Sequence, residues 1–138
     1  IMKELKKKID MSIIFITHNL GVVAEICDFV SVMYGGKIVE QGPVDDIFYQ
    51  PSHPYTKGLL LSMPRVDAEN YERLIPIEGT PVDLLNAPKG CPFAARCKSC
   101  MKICLQNMPE LIQVGEKHAS ACWLLADQCK KEAAKDER

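Results

Sequence analysis

Apolar residues fall in short blocks separated by turn residues, and each block predicts an element. Ser12-Ile13-Ile14-Phe15-Ile16-Thr17 is a continuous, β-branched run, which predicts a buried strand of a parallel sheet covered on both faces. It ends at Thr17-His18-Asn19. Leu20 to Cys27 follows as a short helix with Val23, Ala24 and Cys27 on one side. Phe29 to Tyr34 predicts a second strand, Gly35-Gly36 a hairpin turn, and Lys37 to Gln41 the return strand. Pro43 to Tyr49 reads as a helix with Pro in its first turn and Asp45 and Asp46 near its positive end. Gln50-Pro51-Ser52-His53-Pro54 breaks it, and Tyr55 to Met63 starts another.

From Pro64 the pattern changes. Pro76, Pro81, Pro88 and Pro92 leave room only for extended segments and turns. Arg96 to Gln106 is compatible with one helix. Ala119 to Lys130 is a strand or helix carrying Trp123 in the core, and residues 130–138 form a charged tail. At the other end, Ile1 to Lys8 reads as the tail of an amphipathic helix with no cap before it, so the chain is expected to be a fragment of a longer protein. The resulting division is 1–63, 64–129 and 130–138.

Composition narrows the function classes. Apolar residues make up 47% of the 138 positions and charged residues 25%, which excludes global disorder. The net charge of -1 supplies no field to hold nucleic acid, and basic and aromatic residues are not interleaved. No apolar run approaches the roughly 20 residues needed to span a bilayer.

Six of the seven cysteines lie between Cys91 and Cys129, without an export signal. That pattern favours a metal or iron–sulfur site over a disulfide scaffold. On a helix, Cys97, Cys100 and Cys104 share one face. Cys91 lies just before it, Pro92 can turn its thiolate towards the same point, and Cys122 can close the set. Four thiolates suit a tetrahedral zinc ion or the corners of a [4Fe–4S] cluster. Cys97-x-x-Cys100 makes Cys100 an alternative zinc ligand. His118 is a weaker substitute ligand. Arg96 is either an offset for thiolate charge or a structural ion-pair residue, and Cys27 reads as a buried small apolar side chain.

The order of buried strand, Thr17-His18-Asn19-Leu20, helix, Asp28, strand, Gly35-Gly36 and Lys37-Ile38-Val39-Glu40-Gln41-Gly42 resembles the last part of the nucleotide-binding domain of an ABC transporter ATPase. The resemblance implies that His18 is the switch histidine, which contacts the γ-phosphate and helps position the attacking water. The phosphate loop, the Leu-Ser-Gly-Gly-Gln-type signature and a strand ending in Asp-Glu do not occur in these 138 residues. ATP and magnesium are therefore expected only in a full-length subunit, and these residues alone are expected to be inactive.

Gln50-Pro51-Ser52-His53-Pro54-Tyr55-Thr56-Lys57-Gly58-Leu59-Leu60 is similar to the His-Pro-Tyr extension of one subfamily, the ATP-binding subunits of oligopeptide, dipeptide and nickel importers. Its physics is that of a helix terminator and a helix start, with His53 as a turn residue and not a ligand. Pro76-Ile77-Glu78-Gly79-Thr80-Pro81 and Gly90-Cys91-Pro92-Phe93-Ala94-Ala95-Arg96-Cys97 match the same extension. The fold expected from the resemblance is α/β: a remnant of a P-loop NTPase-type parallel sheet, residues 1–63, followed by a proline- and cysteine-rich extension, residues 64–129. It implies a [4Fe–4S] cluster on Cys91, Cys97, Cys104 and Cys122. It also implies permease subunits and a second ATPase subunit as partners, at the cytoplasmic side of the cell membrane. The competing reading is a stand-alone iron–sulfur or zinc-binding interaction module without catalysis. Without its sheet neighbours, strand Ser12–Thr17 is expected to dimerise through its exposed edge, swap, or leave part of the first 40 residues disordered.

Overall fold

The computed structural model describes residues 12–63 and 75–126. The expectations for helix Ile1–Lys8 and for the tail lie outside the described residues.

The centre of the fold is the hairpin of β1 (Phe29–Tyr34) and β2 (Lys37–Pro43). Gly35 and Gly36 turn it with φ of 56° and 75°, the left-handed conformation that a tight two-residue hairpin demands at both positions. Val32 pairs with Glu40 but Met33 with Ile38, so Val39 is an extra residue on β2. Such a bulge breaks the two-residue alternation. Val39 and Glu40 are consequently both buried although adjacent.

The bulge also frees the Val39 carbonyl, which accepts a hydrogen bond from Ala121 N–H at 2.8 Å. This draws β4 (Ala119–Ser120) onto the far side of β2, and β3 (Ile112–Gln113) pairs with β4. The sheet order is β1-β2-β4-β3, with every pairing antiparallel.

Helix α1 (Leu20–Ile26) precedes the hairpin. Asn19 caps it, with Oδ1 accepting from Val22 N–H at 3.2 Å. After β2, α2 (Val44–Tyr49) starts at the Pro43 cap and puts Asp45 and Asp46 in its first turn, where the helix dipole favours them. Helix α3 (Pro54–Leu61) starts with Pro54. The core joins Val32, Tyr34, Val39 and Ile47 to Cys91, Phe93 and Ala94. One core thus draws on both sides of residue 64. Tyr34, Tyr55 and Phe93 form an aromatic triangle with ring centroids 4.6 to 5.3 Å apart, within the favourable range for tilted pairs.

Arg96 ties the proline-rich segment to this core. Its Nε donates to Glu78 O at 2.9 Å, and its terminal nitrogens donate to Ile77 O at 2.6 Å and to the Tyr34 hydroxyl at 3.2 Å. Among the described residues it is a structural strap to two main-chain carbonyls and a hydroxyl, and it pairs with no carboxylate or thiolate.

Several expectations are corrected. The run Ser12–Thr17 is not a buried strand. It is irregular, and Ile14 and Ile16 are 92% and 94% exposed. The described sheet is antiparallel and holds no parallel pair. The reason is physical: a doubly covered strand needs neighbours on both edges and both faces, and no described residue supplies them. Arg96 to Gln106 is not one helix. A 3₁₀ turn, Ala94–Arg96, ends at an extended Cys97, and α4 (Lys102–Gln106) restarts after an extended Met101. Cys and Ser are mediocre helix formers, and a turn closed by Cys100 N–H to Cys97 O fills the gap. Cys27 and Trp123 are only half-buried.

Candidate functional site

Two connected groups of side chains stand out in the interior, a buried carboxylate and a cysteine-lined cavity. Glu40 is completely buried. Its Oε1 accepts from Ser52 N–H at 2.6 Å and from His118 Nε2 at 2.8 Å, and its Oε2 accepts from His53 N–H at 3.0 Å. A buried carboxylate is tolerated only when its oxygens are supplied with donors in this way. Gly42 packs closely beside it, and an added Cβ would press on His118 at 3.1 Å. The carboxylate therefore fastens three segments: β2, the Ser52-His53 turn, and the strand entry at His118. His118 is committed to Glu40 and does not line the cysteine cavity.

Cys91, Cys97, Cys104 and Cys122 all line one cavity, together with His53, Pro54, Phe93, Ala94 and Trp123. Different elements deliver the four thiols. Cys91 leads into the 3₁₀ turn, Cys97 ends it, Cys104 lies on α4, and Cys122 follows β4. Cys91 N–H donates to Cys104 O at 2.8 Å, which locks the first thiol to the third. Gly90 permits the approach, since any Cβ there would overlap the Cys104 carbonyl.

Burial pushes the Cys91 thiol up to about 11; the Phe93 N–H pulls it partly back, and the neighbouring thiols of Cys104, Cys122 and Cys97 raise it further. Burial likewise raises Cys97 and Cys122, again with other thiols of the set acting in the same direction. The four sulfurs thus sense one another's charge. The raised Cys91, Cys97 and Cys122 thiols stay protonated until a cation compensates their thiolates. Cys100 is exposed and does not line the cavity. No described cysteine is in a disulfide. Among the described residues no group of three or more His, Cys, Asp or Glu side chains is drawn close enough to hold a metal ion. Four cysteine thiols are the donor type that both zinc and iron–sulfur groups use.

His53 stands between the two groups and is 1% exposed. Glu40 holds its main-chain N–H, and its Nδ1 accepts from Tyr55 N–H at 3.1 Å, capping α3. Burial lowers its pKa to about 4, against a smaller opposite pull from the Glu40 charge. The ring is neutral, with its proton on Nε2.

His18 sits apart from this region. It is exposed on the corner before α1, between Thr17, whose hydroxyl accepts from Asn19 N–H at 3.0 Å, and the Asn19 cap. The corner is well formed by these two hydrogen bonds.

Sequence reasoning brought together the four cysteines but missed Glu40 and His118. They lie 78 positions apart. The only available signal was a Glu inside a strand next to a hairpin turn, which ordinarily marks a solvated face.

Residues 39–104 match the family described as "Oligopeptide/dipeptide transporter, C-terminal region". The chain is 55% identical over 91% of its length to the oligopeptide transport ATP-binding protein OppD of Bacillus subtilis. It is 53% identical over 90% to the dipeptide transport ATP-binding protein DppD of the same organism. The DppD of Lactococcus lactis subsp. cremoris is 50% identical over 98% of the chain. These alignments take in 35%, 37% and 38% of the three relatives, so the chain spans about a third of their length. Among the described residues no helix is long and apolar enough to cross a membrane.

Proposed function

From a chain that belongs to the oligopeptide/dipeptide transporter C-terminal region family, we infer that it supplies the C-terminal part of an ATP-binding subunit in a peptide importer. The support is identity near one half over nine-tenths of the chain to proteins named as oligopeptide and dipeptide transport ATP-binding proteins. Because those names specify peptides, we assign peptides and not nickel as the cargo class. The whole subunit would hold ATP and magnesium, pair with a second ATPase subunit, and dock on permease subunits at the cytoplasmic face. The division at residue 64 then separates functions and not folding units: 1–63 closes the nucleotide-binding domain and 64–129 is the extension.

His18 is assigned the γ-phosphate contact. Its support is an exposed imidazole on a capped corner, free to face a nucleotide held by other parts of the subunit. In the assembled transporter, His18→Ala is expected to lower ATP hydrolysis about 100-fold, in the range for a lost positioning or proton-transfer group. Peptide uptake should fall with it while ATP binding persists. Unchanged hydrolysis would remove His18 from the chemistry.

We further assign Cys91, Cys97, Cys104 and Cys122 to a [4Fe–4S] cluster, carried by the single cavity that all four line. When bound, such a group supplies four iron–thiolate links between segments that have few large apolar side chains of their own. The chain's part is to converge the thiols, and to shield them with Phe93 and Trp123. Zinc is the second choice, because zinc ribbons use two C-x-x-C pairs and only Cys97-x-x-Cys100 is present. Iron and sulfide near four each per chain in anaerobically purified protein would support the cluster. Zinc near one, using Cys100, would replace it.

A further inference from the structure

We propose that Cys100 and Cys104 form a reversible redox pair, in which a hydroperoxide oxidises the exposed Cys100 thiol and Cys104 resolves it into a Cys100–Cys104 disulfide. The pair needs only free thiols and does not rest on the cluster assignment above.

The described cysteines are all free but differ in access. Cys91 and Cys122 are buried, Cys27, Cys97 and Cys104 are half-buried, and among them Cys100 alone is exposed. A small oxidant arriving from solvent therefore meets Cys100 first. Cys100 does not line the cavity shared by Cys91, Cys97, Cys104 and Cys122, whereas Cys104 does. Cys104 thus links the exposed thiol to the interior set.

The local backbone brings the two residues together. Cys100 N–H donates to Cys97 O at 3.1 Å, which closes a turn. Met101 is extended, with φ -107° and ψ 161°, and α4 begins after it. The Met101 carbonyl then collects both cysteines: the Cys100 Sγ–H donates to it at 3.6 Å and the Cys104 N–H at 3.0 Å. The Cys100 sulfur is thereby held over the first turn of α4, beside the residue that carries the second thiol. Cys104 is itself fixed, because its carbonyl accepts from Cys91 N–H at 2.8 Å.

The thiols sense each other accordingly. Partial burial raises the Cys100 thiol above its ordinary value; the charge of Cys104 adds to this first, then that of Cys97, then a side-chain hydrogen bond with Cys104. A raised thiol is a slower nucleophile. Cys100 is consequently singled out by access and by a partner in place, not by acidity.

The chemistry balances with one peroxide. The Cys100 sulfur attacks a peroxide oxygen, the S–O bond forms, the O–O bond breaks and water leaves, giving a sulfenic acid. The Cys104 sulfur then attacks the Cys100 sulfur. The S–S bond forms, the S–O bond breaks, and the hydroxyl leaves as water with the Cys104 proton. Two thiols have lost two electrons to the peroxide, and a dithiol reverses the step by exchange. While the bridge lasts, Cys104 is withdrawn from the four thiols that line the cavity.

The test uses the full chain, reduced with a dithiol, freed of metal with a chelator and treated with a single equivalent of hydrogen peroxide. Remaining thiols are alkylated, and tryptic peptides are weighed without reduction. Cleavage after Lys98 and Lys102 separates residues 99–102, which carry Cys100, from residues 103–117, which carry Cys104. The expected main product is these two peptides joined, and released by a dithiol. Cys104 joined instead to residues 90–96, through Cys91, or to residues 97–98, through Cys97, overturns the proposal. So does Cys100 carried on to a sulfinic acid with Cys104 still alkylated. In Cys100→Ser, Cys104 should be recovered alkylated after the same treatment; its oxidation there to the same extent would mean that peroxide reaches it without Cys100, and would defeat the pairing. The peptide map of the unsubstituted protein decides even if the variant does not fold.

Discussion

Residues 12–17 and residues 91–122 solve the problem of staying folded in opposite ways. The first is the most apolar stretch of the chain, and it is exposed, with Ile14 and Ile16 almost fully in solvent. The second is rich in Cys, Lys, Ser and short connections, yet it contains Cys91, Phe93, Ala94, Ala119, Ser120, Ala121 and Cys122, all buried. Apolar character creates a demand for burial, whereas partners decide whether it is met. The hairpin offers partners to the second region through Val39 O and Glu40. In the first, Ile13 and Phe15 are partly covered at 39% and 41% exposure, while Ile14 and Ile16 meet nothing.

That contrast can be broken most directly at Glu40. Glu40→Ala strands the N–H groups of Ser52 and His53 and the His118 ring in the interior. A loss of about 3–5 kcal/mol is expected, the range for removing one partner of a buried charged network. Urea unfolding of the two proteins would measure it, and a loss below about 1 kcal/mol would mean that the network does not hold the region.

Acid should act on the same region. The folded pKa of His53 lies below its ordinary value of 6.5, at about 4, so between these values the unfolded chain binds more protons than the folded one. Stability is therefore full above about pH 6.5 and declines as pH falls towards 4. A tenfold change in a protonation equilibrium is worth about 1.4 kcal/mol, so the whole decline amounts to something on the order of 3 kcal/mol. Unfolding of metal-free protein measured across that window should show the decline, and H53N should flatten it.

Arg96→Lys comes next. Lys cannot reach two carbonyls and a hydroxyl from one planar fork, so a loss of about 1–3 kcal/mol is expected from the donors withdrawn. Thermal or urea unfolding of R96K would read it. Smallest of all should be Ile16→Lys. At 94% exposure it should change the stability of these residues by less than about 0.5 kcal/mol. A large loss would show that residues 12–17 are buried after all and would erase the contrast.

The hairpin was legible because two glycines between β-rich runs leave the chain little choice, and helices α2 and α3 because proline and acidic residues mark their starts. The run at 12–17 was legible as strand-forming, but it forms a strand only with neighbours that no described residue supplies. The split of the 96–106 region was missed because cysteine spacing at three and seven suits a helix, although the thiols in fact reach one cavity from separate elements. The set Cys91, Cys97, Cys104 and Cys122 was read from its resemblance to a family pattern, and the four line one cavity. The Glu40–His118 pair was missed, because no local pattern connects residues so far apart, and because its burial depends on a bulge that alternation cannot foresee.

The extra residue at Val39 makes β2 a part whose phase can be edited. Deleting one residue there would restore regular pairing with β1 and leave the hairpin and its turn intact. It would also turn either the valine or the glutamate outward, withdrawing the carbonyl that recruits β4 or the carboxylate that seats the Ser52-His53 turn. A single lost codon would thus uncouple the cysteine region from the hairpin without touching a cysteine, a lesion invisible to any comparison that scores only ligand residues.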